Sequence, residues 1–250
     1  TPVIVDPETL FLILDVSARF NSNLTTLGSD DLQGTITNTL TNFNNNSLKT
    51  FNSAFRHSQV TKLIDDSDTS LTSNITRVVL GKFFTPTLNE SVGYTISFNN
   101  VIFNPHAGHN TNEGGVIAST GFKVSGDTVN EMFLDDDGAG NIRRFYILSG
   151  EKKYVDNTAG TINYGNGILS LNPLTINQVS DVDNTSSTQI RITTIPDSVD
   201  IIPVRNQLLE IDLVNTVVNV AIDRLGVGDI NTVNTADLAT SSFTKTVSGY

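Results

Sequence analysis

Between Leu10 and Phe84 the hydrophobic period changes twice, from two to about 3.6 and back to two, which limits what this stretch can become. Leu12, Leu14, Val16, Ala18 and Phe20 fall on one side of an extended chain, and Asp15, Ser17 and Arg19 on the other. That alternation predicts a strand from Leu10 to Phe20. After a polar loop, Leu32, Ile36, Leu40 and Phe43 recur at helical spacing. Ser29 and Asp30 stand ahead of them, with short side-chain oxygens suited to accept from first-turn amides. Gly34, Thr35, Thr37, Asn38, Thr39, Thr41 and Asn42 all make this helix weak on its own. Burial of its four apolar side chains, worth at most about 1.5–3 kcal/mol each, must hold it against a sheet. Asn44 to Asn46 is expected to end it.

Ser58 is expected to cap a second, shorter helix carrying Val60, Leu63 and Ile64. Asp65, Asp66 and Asp68 lie near its C-terminal end, where the helix dipole disfavours them, so they read as solvating a turn. Ile75 to Phe84 is rich in β-branched and aromatic residues and reads as a returning strand, closed by Pro86. Beyond Pro86 the helical period disappears. Short extended runs appear at Tyr94 to Phe98, Val101 to Phe103, Phe122 to Val124, Met132 to Leu134, Ile142 to Leu148, Thr161 to Tyr164, Ile168 to Leu171 and Gln189 to Ile195. Ser149-Gly150 and Gly165-Asn166-Gly167 supply turn chemistry between them. Leu209, Ile211 and Leu213 alternate with acids to give another strand, and Val218, Val220 and Ile222 one more. The expected class is therefore α+β: a small strand-helix-helix-strand α/β unit over 1–86, a larger antiparallel β region over 87–225, and a polar C-terminal tail over 226–250.

Candidate chemistry is sparse. His106, His109 and Glu113 have metal-compatible spacing but sit among Pro105, Gly108, Gly114 and Gly115, without the rigid frame a three-ligand site needs. Asp135-Asp136-Asp137-Gly138-Ala139-Gly140 resembles a calcium loop superficially. Counted from Asp135, however, Ala139 fills the fifth position and Tyr146 the twelfth, so a glycine-bearing hairpin turn is the better reading. His57 and Ser58 are adjacent and diverge, which is no nucleophile–base arrangement; Arg56 and His57 read as hydrogen-bonding groups of a helix-start turn. No catalytic residue, cofactor or metal is expected, and no enzyme activity.

The run 142–148 is apolar on both faces. Ile142, Tyr146 and Leu148 fall on one side, Phe145 and Ile147 on the other, and Arg143-Arg144 lies beside Lys152-Lys153. A sheet with one wet face would alternate apolar with polar. Two apolar faces call for a covering layer, supplied by the rest of the chain or by a second copy. Arg143, Arg144, Phe145, Tyr146 and Ile147 are therefore the candidate interface.

The totals fit an interaction role. The chain of 250 residues with 38% hydrophobic content suffices for one large domain or two small ones. Its formal net charge of −11 argues against nucleic-acid phosphates as the main partner. Only 16% of residues are charged, and Asn, Thr and Ser fill polar positions instead. No apolar run is long enough to span a membrane. The absence of Cys excludes disulfides and thiolate metal sites and suits a reducing cytoplasm. A chain beginning at Thr1 reads as processed or as a piece of a longer protein. A β-rich carbohydrate-binding or glycan-processing domain is the alternative, but Trp is absent and aromatics are only 7%, which leaves little for sugar-stacking platforms.

The strand at Leu10, the helix at Asp30, Phe55-Arg56-His57-Ser58, Leu63-Ile64-Asp65 and the strand at Asn74 to Phe84 together resemble the C-terminal part of a baseplate wedge protein. The family is the baseplate J family of contractile-tailed phages, in its T-even-type form. Asp137-Gly138-Ala139-Gly140-Asn141-Ile142-Arg143, Gly160-Thr161-Ile162-Asn163-Tyr164 and Ile202-Pro203-Val204-Arg205-Asn206-Gln207 extend the likeness to about residues 3–225. The resemblance implies structural work without catalytic residues: a virion protein, assembled in the host cytoplasm, that forms homodimers. With other baseplate wedge proteins it would link wedges into a ring around the tail hub.

Overall fold

A computed structural model describes residues 8–104, 115–182 and 185–224. They are mostly β-structure with two short helices. In chain order the elements are β1 (Glu8–Phe20), α1 (Ser29–Phe43), α2 (His57–Asp65), β2 (Leu71–Phe84), β3 (Ser91–Ser97), β4 (Ile117–Ser119), β5 (Phe122–Val124), β6 (Asp127–Asp136), β7 (Asn141–Leu148), β8 (Glu151–Asn163), β9 (Ile168–Val179), β10 (Ile190–Thr194), β11 (Gln207–Ile211) and β12 (Val217–Ile222).

The first sheet has the order β11-β1-β2-β10-β4, with β12 also on β1. β1 and β2 are antiparallel, Leu14 opposite Val78. β11 and β12 follow one another along β1 and run parallel to it, Glu8 opposite Gln207 and Phe20 opposite Ile222. The stretch 87–225 is thus not a single antiparallel region: β4, β10, β11 and β12 complete the first sheet, two of them in parallel. Alternation reports an extended chain with one buried side; it carries neither the partner nor the direction of pairing. Leu10, Leu12, Leu14, Val16 and Ala18 are buried on the helix-covered side, together with Val78 and Leu80 of β2.

Leu32, Ile36, Leu40 and Phe43 are the buried residues of α1. Its threonines bond inward: the Oγ1 atoms of Thr35, Thr37, Thr39 and Thr41 donate to carbonyls four residues earlier at 2.8–3.0 Å. The helix starts after Gly28, whose N–H donates to Asp31 Oδ2 at 3.1 Å, so Ser29 and Asp30 lie inside it rather than capping it. The α-helix ends at Phe43 with Asn44 as its C-cap, as expected, and the chain widens there into a π-helical turn over Asn44–Leu48 in which Asn44 is buried. There its Oδ1 accepts from Ile211 N at 2.8 Å and its Nδ2 donates to Ile211 O at 3.3 Å, an exchange with the end of β11. Ser58 likewise lies within α2, and the first amide of that helix, at His57, is met from a distant part of the chain, as described below.

The second sheet runs β3-β9-β5-β6-β7-β8, and β9 also pairs with β8, so β5 to β9 form a closed, barrel-like ring. Met132, Leu134, Ile142, Ile162, Leu169 and Ile176 are buried within the one hydrophobic cluster that runs through both sheets. Gly160 lets β8 and β9 approach closely, since a Cβ there would overlap the carbonyl of Ser170. Ser149 and Gly150, both at positive φ, make the β7–β8 turn. β8 is far longer than the expected Thr161 to Tyr164, because its first residues are polar and hide the period. Val101 to Phe103 forms no strand; Ile102 makes a single bridge with Pro196. Asp136 ties the sheets together. It is fully buried at the end of β6, and its Oδ1 accepts from Ile117 N of β4 at 2.8 Å.

Candidate interaction surfaces

The outward face of β6, β7 and β8 is built around one carboxylate. Asp135 is buried and accepts from Arg143 Nε at 3.0 Å, Lys152 Nζ at 2.8 Å and Tyr154 Oη at 2.8 Å. Arg143 also donates from Nη2 to Asp136 O at 3.0 Å, and its guanidinium lies 4.3 Å from the centre of the Tyr154 ring. Phe145 packs between Phe133 and Tyr154, with ring centres 5.8 and 5.6 Å away. Lys152 Nζ sits 4.5 Å from the Phe145 ring centre. Burial, followed by the hydrogen bond to Asp135, pushes the Tyr154 hydroxyl up to about 12.

The candidate interface therefore divides. Arg143 and Phe145 are buried within this chain, and the second apolar face of β7 is covered by the chain's own side chains around Phe145. Arg144 is half-buried, 3.9 Å from Asp156. Tyr146 is half-buried against the core, whereas Ile147 at 56% and Leu148 at 52% are exposed near the β7–β8 turn.

The neighbouring acids are internal scaffolding. Asp136 Oδ2 accepts from Tyr164 Oη at 2.6 Å and Gly138 N at 3.3 Å. Burial, with Asp136 beside it, pushes the Tyr164 hydroxyl far above the usual range. Asp137 organises the turn, accepting from Ala139 N, Asn141 N and Asn141 Nδ2. Burial raises its carboxyl, but these bonds outweigh that and hold it below the usual range. No group of three or more potential metal ligands occurs among the described residues. His106, His109 and Glu113 lie outside the described residues, as does the stretch 226–250.

Phe55-Arg56-His57-Ser58 works as a fastener. Phe55 exchanges two backbone hydrogen bonds with Ile201, each 2.9 Å. Asp200 accepts from His57 N and Arg56 Nη1, both at 2.9 Å, and so caps α2. The amide bond first, then Arg56, holds the Asp200 carboxyl below its usual range. His57 Nε2 is 2.8 Å from Thr76 O. None of this presents a reactive group.

The first sheet carries helices on one side. Its other side holds Phe11, Ile13, Val79 and Phe83, with Ile75 at 68% and Val217 at 50% exposure farther along. Phe11 and Phe83 meet edge to face at 5.0 Å. Gly81 lies directly below Phe11 and Ile13, leaving them room to pack down on the strand. Sequence reading placed Asp15, Ser17 and Arg19 on this side and passed over Phe11 and Ile13; the unbroken apolar run from Leu10 to Leu14 was the signal. At the upper end of the face a cleft of about 750 Å³ is lined by Phe11, Phe83, Glu8, Lys82 and Asp212 among others. Its carboxylates are engaged: Glu8 with Lys82 at 3.2 Å, and Asp212 with Asn215 Nδ2 at 2.6 Å.

No helix among the described residues is long and apolar enough to cross a membrane. Residues 8–82, the stretch from β1 into β2, match the family model for Baseplate structural protein gp6, C-terminal domain III. No curated protein matches the chain.

Proposed function

We propose, from the likeness of residues 8–82 to a structural domain of the phage baseplate, that this chain is a baseplate wedge subunit working through protein interfaces. Two copies pair, and the pairs join neighbouring wedges into a ring around the tail hub of the virion. The family match is the observation that carries this reading, because it falls on the segment that supplies β1, β2 and the two helices beside them.

A ring-linking subunit needs at least two separate surfaces, one for its own copy and one for a neighbour. Two surfaces are available. One is the side of the first sheet opposite the helices, exposed among the described residues at Asp15, Ile75, Arg77 and Val217. The other is the β7–β8 end, where Tyr146, Ile147 and Leu148 reach the surface beside Arg144 and would meet other wedge proteins. The acidic charge and the absence of reactive constellations among the described candidate residues fit a role in assembly.

Mass spectrometry of purified tails from the phage that encodes this chain tests the assignment. The protein is expected at a fixed ratio to other baseplate proteins; tails that lack it would contradict the proposal. Sedimentation of the purified chain at micromolar concentration tests pairing, for which a dimer is expected.

A further inference from the structure

We infer that the face of the first sheet opposite the helices, centred on Asp15 and Arg77, docks a second copy of this chain face to face about a two-fold axis. The inference rests on the self-pairing proposed above and names its surface.

Asp15 and Arg77 are directly opposite each other on the antiparallel β1–β2 pair, so both point away from the helices. Both are exposed. Neither takes part in an ion pair among the described residues. Ile13 and Val79 precede them along the strands, Val217 lies beside Asp15 on β12, and Ile75 follows on β2 opposite the exposed Ser17. A pair of opposite charges beside apolar side chains, with no ion-pair partner among the described residues, is self-complementary. If the two-fold axis runs along the strands above the seam between β1 and β2, then β1 of one copy faces β2 of the other. Asp15 then meets Arg77 of the second copy twice, once on each side of the axis. Arg19, farther along β1, is opposite Ser73 in the register and would meet no like charge there.

The dimensions agree. β1 has 13 residues, a length of about 43 Å at ~3.3 Å each, and the sheet is three to four strands wide at ~4.8 Å spacing. The plan area is roughly 700 Å², against about 800 Å² buried per partner in a stable complex. Face-to-face sheets align within about 30° of each other, which preserves the seam-to-seam match over the central residues.

Charge reversal tests this in the intact chain. Asp15→Arg alone gives a protomer with two positive groups at the seam, and Arg77→Asp alone gives one with two negative groups. Each variant is expected to stay folded, with the far-UV circular dichroism of the wild type, and to self-associate at least about tenfold more weakly by sedimentation equilibrium. Mixed in equal amounts, the two are expected to recover association, because every cross-seam contact is again between opposite charges. A wild-type dimer that both single variants leave intact would overturn this surface while sparing the pairing itself. Two weakened variants whose mixture does not recover would overturn the two-fold arrangement. A wild-type chain that stays monomeric at all concentrations would instead contradict the pairing on which the inference rests.

Discussion

β1 and β7 both carry apolar side chains on two faces, but on β7 the chain's own side chains cover Phe145, whereas among the described residues the second face of β1 is exposed from Asp15 to Arg19. On β7 the cover comes from the same hairpin. Lys152 and Arg143 lay their cationic heads over Phe145 and Tyr154, and Asp135 holds both cations. On β1 the helices take one side, and the opposite side ends in exposed Ile75 and Val217 and in Asp15 and Arg77, which have no ion-pair partner among the described residues. A doubly apolar strand therefore does not by itself mark an interface. What separates the two cases is whether long charged side chains of adjacent strands can fold over the surface and find a buried counter-ion.

Breaking the cover on β7 should have the largest effect. Asp135→Ala strands Arg143 in the interior without its carboxylate, an expected loss of about 3–5 kcal/mol in urea denaturation. Asp15→Ala, on the exposed face, is expected to stay within about 0.5 kcal/mol. Similar losses for the two would erase the distinction. Next in size, Ile36→Ala opens a cavity where α1 packs and should cost about 2–5 kcal/mol, whereas Ile75→Ala, in monomeric protein, should cost about 0.5 kcal/mol or less. Asn44→Ala leaves the Ile211 main chain unpaired in the core, with an expected loss of about 1–3 kcal/mol.

The smallest effect is alkaline. Tyr154 ionises near 12 in the folded chain and near 10 when unfolded, so the unfolded chain releases its proton first. Its stabilising contribution is complete below about pH 10 and is lost as the pH rises toward about 12. Tyr154→Phe should flatten that part of the profile of Tm against pH. An unchanged alkaline profile would show that Asp135 and the covering layer do not hold the hydroxyl as described.

Much of the local structure was legible in the sequence. The stripe Leu32, Ile36, Leu40 and Phe43 and the alternation from Leu12 to Phe20 reported which sides are buried, because burial imposes its period directly. Caps were less legible. Asp200 reaches α2 from the far end of the chain, and no local window contains both it and His57. Strand partners were not legible at all, since β11 and β12 find β1 across nearly the whole chain and in parallel. The contact residues were half visible. Phe145 reads as unusual for a wet sheet face and Arg143 only as one of a basic pair; their distances to Asp135, Tyr154 and Lys152 show that the chain itself accounts for both.

The most direct measurement compares two exposed isoleucines, one from each region. Sedimentation velocity at micromolar concentration would follow Ile75→Asp and Ile147→Asp beside the wild-type chain. A charge at Ile75, on the exposed face of the first sheet, is expected to shift the dimer to monomer. A charge at Ile147, at the end of the self-covered hairpin, is expected to leave the dimer unchanged. Dissociation by Ile147→Asp together with an intact dimer for Ile75→Asp would contradict the assignment and return the pairing surface to β7.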